Sequence, residues 1–353
     1  MTITRPCYAT REQVMRAVDI KYAAYMSDAV DRAIESASDN VDSFMKRQFF
    51  PTTQTITFDW PSMDSPVPWR LWLNQFELAD HPDLVVTGTY LPSPVVITPA
   101  QYILKPDDGP PFTRLELRRD LNAAFGSNPT PQNDIGITGR FGYWTKTRPA
   151  GKTTAAIVDT TGTTISINNS AAIGVGDLLF IGTEALLVTG KQSVTTGVAW
   201  TGLTTAQAAD NTVGVPDGTL FFPGEVLIAN SERLLILDVV GNNLIVKRAF
   251  DGTVLVAHSA GTLFAQRNLT VTRGEVGTTA ATHLTNVVCN ANLAPSQVRD
   301  LALGEAIVQT ANEVGAYAGQ AGSGNVSDIG ASLADKWEET EAKYGRKARQ
   351  RAV

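Results

Sequence analysis

The sequence predicts an α+β chain: a helical core with a small antiparallel sheet, plus an inserted all-β domain containing a two-copy repeat. Three observations predict it. Apolar residues near the N-terminus recur at steps of three and four, the helical period. From Thr52 to Trp144 the pattern changes to period-two alternation between proline-rich breaks. In the middle third, a shift of 48 residues brings two stretches into register without a gap.

The elements follow in order. Thr10 and Gln13 form a capping box that opens a short helix. Ser27 is placed to cap a longer one, with Val30, Ala33, Ile34, Ala37, Val41, Phe44 and Met45 on one face. Asp28, Asp31, Arg32, Glu35 and Asp39 fall mostly on the other. Pro51 ends the helical region. Strands are predicted at Thr55–Trp60, Leu84–Tyr90, Thr113–Leu117 and Ile135–Tyr143, with breaks at Pro92, Pro94 and Pro110-Pro111.

In the repeat, Gly176–Ile181 aligns with Gly224–Ala229, and Thr183–Val188 with Ser231–Ile236. Upstream, Ile165 and Ile167 match Val213 and Val215. Two copies are too few for a solenoid and suggest two similar small β-units. Pro295 opens a further helix, with Leu303, Ile307, Val314 and Tyr317 on one side. Gly315, Gly319, Gly322 and Gly324 read as a flexible joint, and Ser327 as the cap of a last, polar helix. The expected domains are therefore a core over residues 1–149, the insertion over 150–290, a returning core helix over 291–318 and a flexible arm over 319–353.

Composition narrows the function classes. The chain has 353 residues, 43% hydrophobic and 18% charged, with a formal net charge of −6. A protein built to grip nucleic acid tightly would more often be basic. No apolar run is long enough to span a membrane, and the N-terminus lacks the apolar stretch of a secretory signal. Cys7 and Cys289 lie far apart, which points to two reduced thiols in a cytoplasmic setting.

Catalytic and cofactor signatures do not emerge from the residues. His81, His258 and His283 pair with no other His or Cys at a metal-ligand spacing. There is no phosphate-binding loop, no dinucleotide fingerprint following a strand and no nucleophile elbow. Asp107-Asp108-Gly109 and Asp251-Gly252 lack the remaining ligands of a calcium loop and read as turns. Glu338, Glu339 and Glu341 read as the solvated face of a helix. The expectation is a non-enzymatic structural protein with no catalytic residue, cofactor or metal. Trp69, Trp72 and Phe76, with Trp60, form an aromatic cluster suited to core packing or a partner interface. A single-strand stacking role for it is weakened by the scarcity of interleaved cations, Arg70 excepted.

Two helices, a sheet ending in Gly136-Ile137-Thr138-Gly139-Arg140-Phe141-Gly142-Tyr143-Trp144 and a later helix from Pro295 resemble the head–tail adaptor, or head-completion connector, of long-tailed double-stranded DNA phages. Members of that family are usually much shorter, so the repeat region looks like an insertion. Val246-Lys247-Arg248-Ala249-Phe250-Asp251-Gly252-Thr253 through Ala257-His258-Ser259-Ala260-Gly261-Thr262 is similar to a segment recurring in β-rich accessory domains of phage neck and tail proteins. The resemblance implies a virion neck protein made in the host cytoplasm. It would form a dodecameric ring beneath the portal, bound to the portal and to a downstream connector or tail-completion protein. Double-stranded DNA would pass through the lumen without specific binding. It also implies that the C-terminal arm docks on the portal, with Trp337 and Tyr344 as apolar anchors and Lys343, Arg346, Lys347, Arg349 and Arg351 as cations. The alternative reading is a carbohydrate- or surface-binding virion protein that uses the repeated β-units.

Overall fold

A computed structural model describes residues 3–18, 24–60, 67–88, 95–126, 131–318 and 326–346. Pro92, Pro94, Gly319, Gly322, Gly324, Lys347, Arg349 and Arg351 lie outside these residues, as do the side chains of His81, Val314, Tyr317 and Ser327. The described helices are α1 (Arg11–Val18), α2 (Ala24–Met45), α3 (Ser296–Ala318) and α4 (Val326–Tyr344). The chain divides into two compact units. One comprises residues 1–41, 147–275 and 279–343, and the other 42–146, 276–278 and 344–353.

The expected helical core with a small sheet is overturned. Strand takes 38% of the chain and helix 22%, in three sheets, one of them ten-stranded. The helices belong to the unit that holds the large sheet. Cys7 N–H and Arg11 N–H donate to the Gly176 and Val175 carbonyls of that unit, and Glu12 accepts from Val175 N–H. A three-to-four step shows that a helix buries a face; it does not show what covers that face. Helix α2 is also more enclosed than its pattern predicts. Asp31 and Glu35, expected outside, are buried: Arg11 forks onto Asp31, and Thr4 donates to Glu35. Phe44, expected inside, is 45% exposed. Ser27 lies within the described helix and not at its start. The Thr10–Gln13 capping box is formed. In α3 the buried face is Val298, Leu301, Ala302, Ala306 and Thr310, one position round from Leu303 and Ile307, because small Ala side chains admit the closest packing. Gly315 lies within α3 and so is not part of a joint.

The smaller unit contains β1 (Thr52–Phe58), β2 (Arg70–Trp72), β3 (Leu78–Gly88), β4 (Val95–Ile97), β5 (Tyr102–Lys105), β6 (Arg114–Leu117) and β7 (Ile135–Phe141). They form a four-stranded sheet in the order β1-β7-β3-β4 and a three-stranded sheet in the order β2-β6-β5. The two share one core, in which Leu71, Leu78, Val86, Leu115, Ile135 and Ile137 are almost fully enclosed. Alternation along β7 turns Ile135, Ile137 and Phe141 inward.

The ten-stranded sheet is two six-stranded modules, one nested inside the other. Its strands are β8 (Thr147–Lys152), β9 (Thr164–Ser166), β10 (Leu178–Ile181), β11 (Glu184–Trp200), β12 (Thr212–Gly214), β13 (Val226–Ala229), β14 (Glu232–Val240), β15 (Asn243–Lys247), β16 (Gly261–Arg273) and β17 (Val288–Asn292). The β10–β11 hairpin pairs Leu178 with Leu187 and Ile181 with Glu184. Moved by 48, those pairs are the β13–β14 pairs Val226–Leu235 and Ala229–Glu232. On the return strand the shift is 25, which carries the β12–β15 pair Val213–Leu244 onto the β9–β16 pair Ile165–Leu269. Core positions match: Leu179, Leu186, Val188 and Val271 in the outer module answer Leu227, Leu234, Ile236 and Val246 in the inner one.

The inner module closes its long hairpin with Gly241-Asn242, between the paired residues Val240 and Asn243. Gly241 has φ 61°, where glycine meets no steric penalty. The corresponding outer pair is Gln192–Asn268, and there the chain runs on along β11, makes the whole inner module and returns along β16. If the modules are nested in this way, replacing residues 193–267 with Gly-Asn should leave a folded outer module. Circular dichroism and thermal melting of the shortened chain should show retained β-structure and a cooperative transition; a featureless unfolded spectrum would refute the nesting.

Candidate functional site: twin buried ion clusters

The two modules carry the same buried charged constellation. In the inner one, Glu232 opens β14 directly opposite Ala229, and Arg248 follows β15. Ala249, Asp251 and Gly252 then take left-handed backbone angles of 50°, 53° and 74°, which curl the chain back and deliver His258. The outer module repeats the turn, with Gly274, Val276 and Gly277 at 65°, 47° and 77°.

Each carboxylate is saturated. Arg248 forks onto Glu232, Nε to Oε1 at 2.8 Å and Nη2 to Oε2 at 2.9 Å. Ala249 N–H, Val256 N–H and His258 Nε2 also donate to Glu232, at 2.9, 3.2 and 2.8 Å. Arg273 forks onto Glu184 at 2.5 and 2.8 Å, and Gly274 N–H, Ala281 N–H and His283 Nε2 complete the set at 3.3, 3.1 and 2.6 Å. The guanidinium hydrogens left over reach loop carbonyls: Thr205, Asp210 and Val256 for Arg248, and Gly162 and Ala281 for Arg273. An ionised carboxylate only accepts, so each histidine must carry its proton on Nε2 to join.

Both glutamate side chains and that of Arg248 are fully enclosed. Burial alone raises a carboxyl pKa. Here the forked arginine, the histidine and the backbone N–H donors outweigh it and bring Glu184 and Glu232 down to about 2. With every carboxylate oxygen committed and both glutamate side chains enclosed, the constellation is a staple: one carboxylate holds a strand start, a strand end and a returning loop together. Among the described residues, no group of three or more His, Cys, Asp or Glu side chains is placed to hold a metal ion.

None of these six residues was singled out as a site from the sequence. The signal was present: Arg-x3-Gly-Thr-x4-His occurs at Arg248–His258 and again, 25 residues on, at Arg273–His283. Glu184 and Glu232 already faced each other in the 48-residue alignment. The two halves of the signal have different offsets, so a single shift of the chain reveals only one of them.

The residues that sequence reasoning did select sit elsewhere. Trp69, Trp72 and Phe76 are half-buried in the smaller unit, and Trp69 and Phe76 pack against its core. The fold also brings a second cation, Arg114, to this cluster. Arg70 stacks on Trp69 at 4.7 Å, Arg114 on Trp72 at 5.1 Å, and Glu116 accepts from both arginines at 2.9 Å. On α4, Trp337 is half-buried and Lys343 exposed, as are Glu338, Glu339 and Glu341. Tyr344 is buried, ring-to-ring with Phe49 and Tyr143, and Arg346 is bound to Asn74, Gln75 and Glu77. Burial pulls the Arg346 guanidinium below its ordinary pKa, Glu77 opposing this. Asp251 pairs with Arg233 at 2.7 Å, and Asp107 with Lys105 at 2.5 Å.

Compared with known proteins, the chain matches no family model, no curated protein and no solved structure.

Two predictions come from the staples. Replacing Glu232 with Ala leaves Arg248 charged and unpaired in the interior, which should cost about 3–5 kcal/mol of unfolding free energy in urea melts. A loss below about 1 kcal/mol would mean the cluster contributes little. The second concerns acid. Glu184 and Glu232 titrate near 2 when folded, against an ordinary value of 4.5. Their stabilisation is therefore complete above about pH 4.5 and is lost as pH falls toward 2. Thermal melts between pH 6 and 2 should show this loss, and the slope in that window should be shallower for Glu232→Gln.

Proposed function

We propose that the chain is a structural head-to-tail adaptor of a long-tailed double-stranded DNA phage, a ring-forming subunit beneath the portal that continues the DNA channel and joins capsid to tail. One observation carries the reading. The Val246–Thr262 segment, which is similar to segments of phage neck and tail accessory domains, belongs to one of two matched staples whose charged groups are wholly spent on holding loops. A side-chain set of that kind suits a rigid module that transmits force and does no chemistry on a substrate. The net charge of −6 suits a passage through which DNA slides without adhering.

In this reading the homo-oligomer forms by heterologous contacts, one face of a subunit meeting a different face of the next. The exposed side of the three-stranded sheet, with Trp72 between Arg70 and Arg114, is the proposed partner interface, and Trp69 and Phe76 support it from beneath. Of the arm residues expected to dock on the portal, Tyr344 and Arg346 are already bound within the smaller unit, which leaves Trp337, Lys343, Lys347, Arg349 and Arg351 as the proposed portal-docking residues.

Native mass spectrometry of the full chain, alone and with a phage portal protein, tests the proposal. The expected result is a large ring that attaches to the portal. A monomer that ignores the portal and binds on a glycan array would overturn it in favour of a surface-binding protein. Trp69→Ala with Trp72→Ala should weaken ring assembly while shifting the melting temperature by only a few degrees. Parallel collapse of both would assign these residues to the core alone. Truncation after Ala318 should abolish portal attachment.

A further inference from the structure

In the smaller unit two arginines share one buried carboxylate. Arg47, just past the end of α2, donates from Nη2 to Glu77 Oε1 at 2.9 Å, and Arg346 Nη2 lies 3.4 Å from Oε2 of the same group. The glutamate side chain is 6% exposed and the arginine side chains 15% and 20%. Their other Nη contacts are to backbone carbonyls. Arg47 Nη1 donates to Tyr344 at 2.5 Å, and Arg346 donates to Asn74 and Gln75 at 2.8 and 2.7 Å.

This group is unbalanced in two ways. The first is charge. One carboxylate serves two guanidiniums that repel each other; burial pulls Arg346 below its ordinary pKa, Glu77 opposes this and Arg47 adds to it. The second is hydrogen bonding. The Nε–H of Arg47 and the Nε–H of Arg346 are both buried and have no acceptor among the described residues. Buried donors in native proteins are nearly always paired, because leaving one without a partner forfeits its hydration for nothing. Both guanidiniums line a cavity of about 330 Å³, the size of a site for a small molecule. Exposed Lys46 adds a third cation to the lining and Asp42 a second carboxylate, with Phe76 and Tyr143 as aromatic walls. Three cations therefore face the cavity's two carboxylates, in a chain whose net charge is −6.

We propose that this cavity binds a small oxyanion, a phosphate or carboxylate group, held by Arg47, Arg346 and Lys46. Its oxygens accept from the two Nε–H groups and supply the second negative charge that the paired arginines lack. Guanidinium donors suit such a group because their N–H fork matches its oxygens. Arg47 belongs to the end of α2 and Arg346 to the chain end that packs there, so a bound anion bridges the two and holds residues 344–346 in place. The site requires neither a ring nor a portal, and it stands or falls separately from the adaptor reading.

Calorimetric titration of inorganic phosphate, and separately of malonate, into the full chain at fixed ionic strength tests it. Saturable binding of at least one ion is expected, and which of them binds tells a phosphate site from a carboxylate site. Arg346→Gln should weaken that binding about tenfold or more, and Lys46→Gln severalfold. Lys46 is exposed, so its variant decides the matter alone if Arg346→Gln does not fold. No saturable binding of either ion at millimolar concentration would overturn the site. Saturable binding with the same affinity in the variants would place the anion elsewhere and overturn it equally. Limited trypsin digestion then reads the chain end: the bound ion should slow cleavage after Arg346. Cleavage at an unchanged rate under saturating ion would overturn the bridge to residues 344–346.

Discussion

The fork of Arg248 onto Glu232, with His258 closing it, is the contact on which each β-module depends. Removing two charges from water is costly, and their attraction compensates only when the remaining donors and acceptors are also satisfied. Here they are: the carboxylate takes five donors and the guanidinium reaches carbonyls on separate loops. The return from β15 to β16 is also tied by paired backbone bonds between Leu203 and His258 and by Arg233 on Asp251, and the staple fixes its two ends to one carboxylate. Left-handed residues at three matched positions give that return its curl, and the ion cluster holds it there.

Nesting follows from the physics of antiparallel hairpins. A hairpin tip is the place where chain can be added at least cost, because closing a longer loop adds little entropy penalty. The inner module enters where the outer hairpin would turn, and both flanking strands continue without leaving the ladder, so β11 and β16 serve both modules. The outer module therefore has its glutamate 89 residues before its arginine, while the inner one needs only 16. The geometry of the two staples is the same despite that difference, which marks the constellation as a condition of the fold.

The smaller unit works differently. Its core is apolar, a guanidinium–indole ladder runs on the three-stranded sheet, and one buried carboxylate, Glu77, is paired with Arg47.

Local signals decided much of this protein. The capping box at Thr10, the helix after Pro295, the alternation of β1 and β7, and the match of Gly176–Val188 with Gly224–Ile236 are all written in neighbouring residues, because caps, periods and repeats act over short distances. The dominance of β-structure is not legible in local patterns. The helical stripe of α2 shows only that a face is buried, and the sheet that unit contains includes pairs as far apart in sequence as Thr147 and Asn292. Half of the site was visible, as Glu184 and Glu232 at matching positions. The other half was hidden by the nesting, since Arg273 and His283 follow a different offset from the glutamates they bind. Arg114 and Glu116 turn Trp72 from an isolated aromatic into part of a charged platform only once β6 pairs with β2. Likewise, nothing around Tyr344 in sequence names Phe49, Glu77 or Tyr143. Contacts of that kind belong to tertiary structure, because burial and hydrogen bonding are decided by which distant segments the chain brings together.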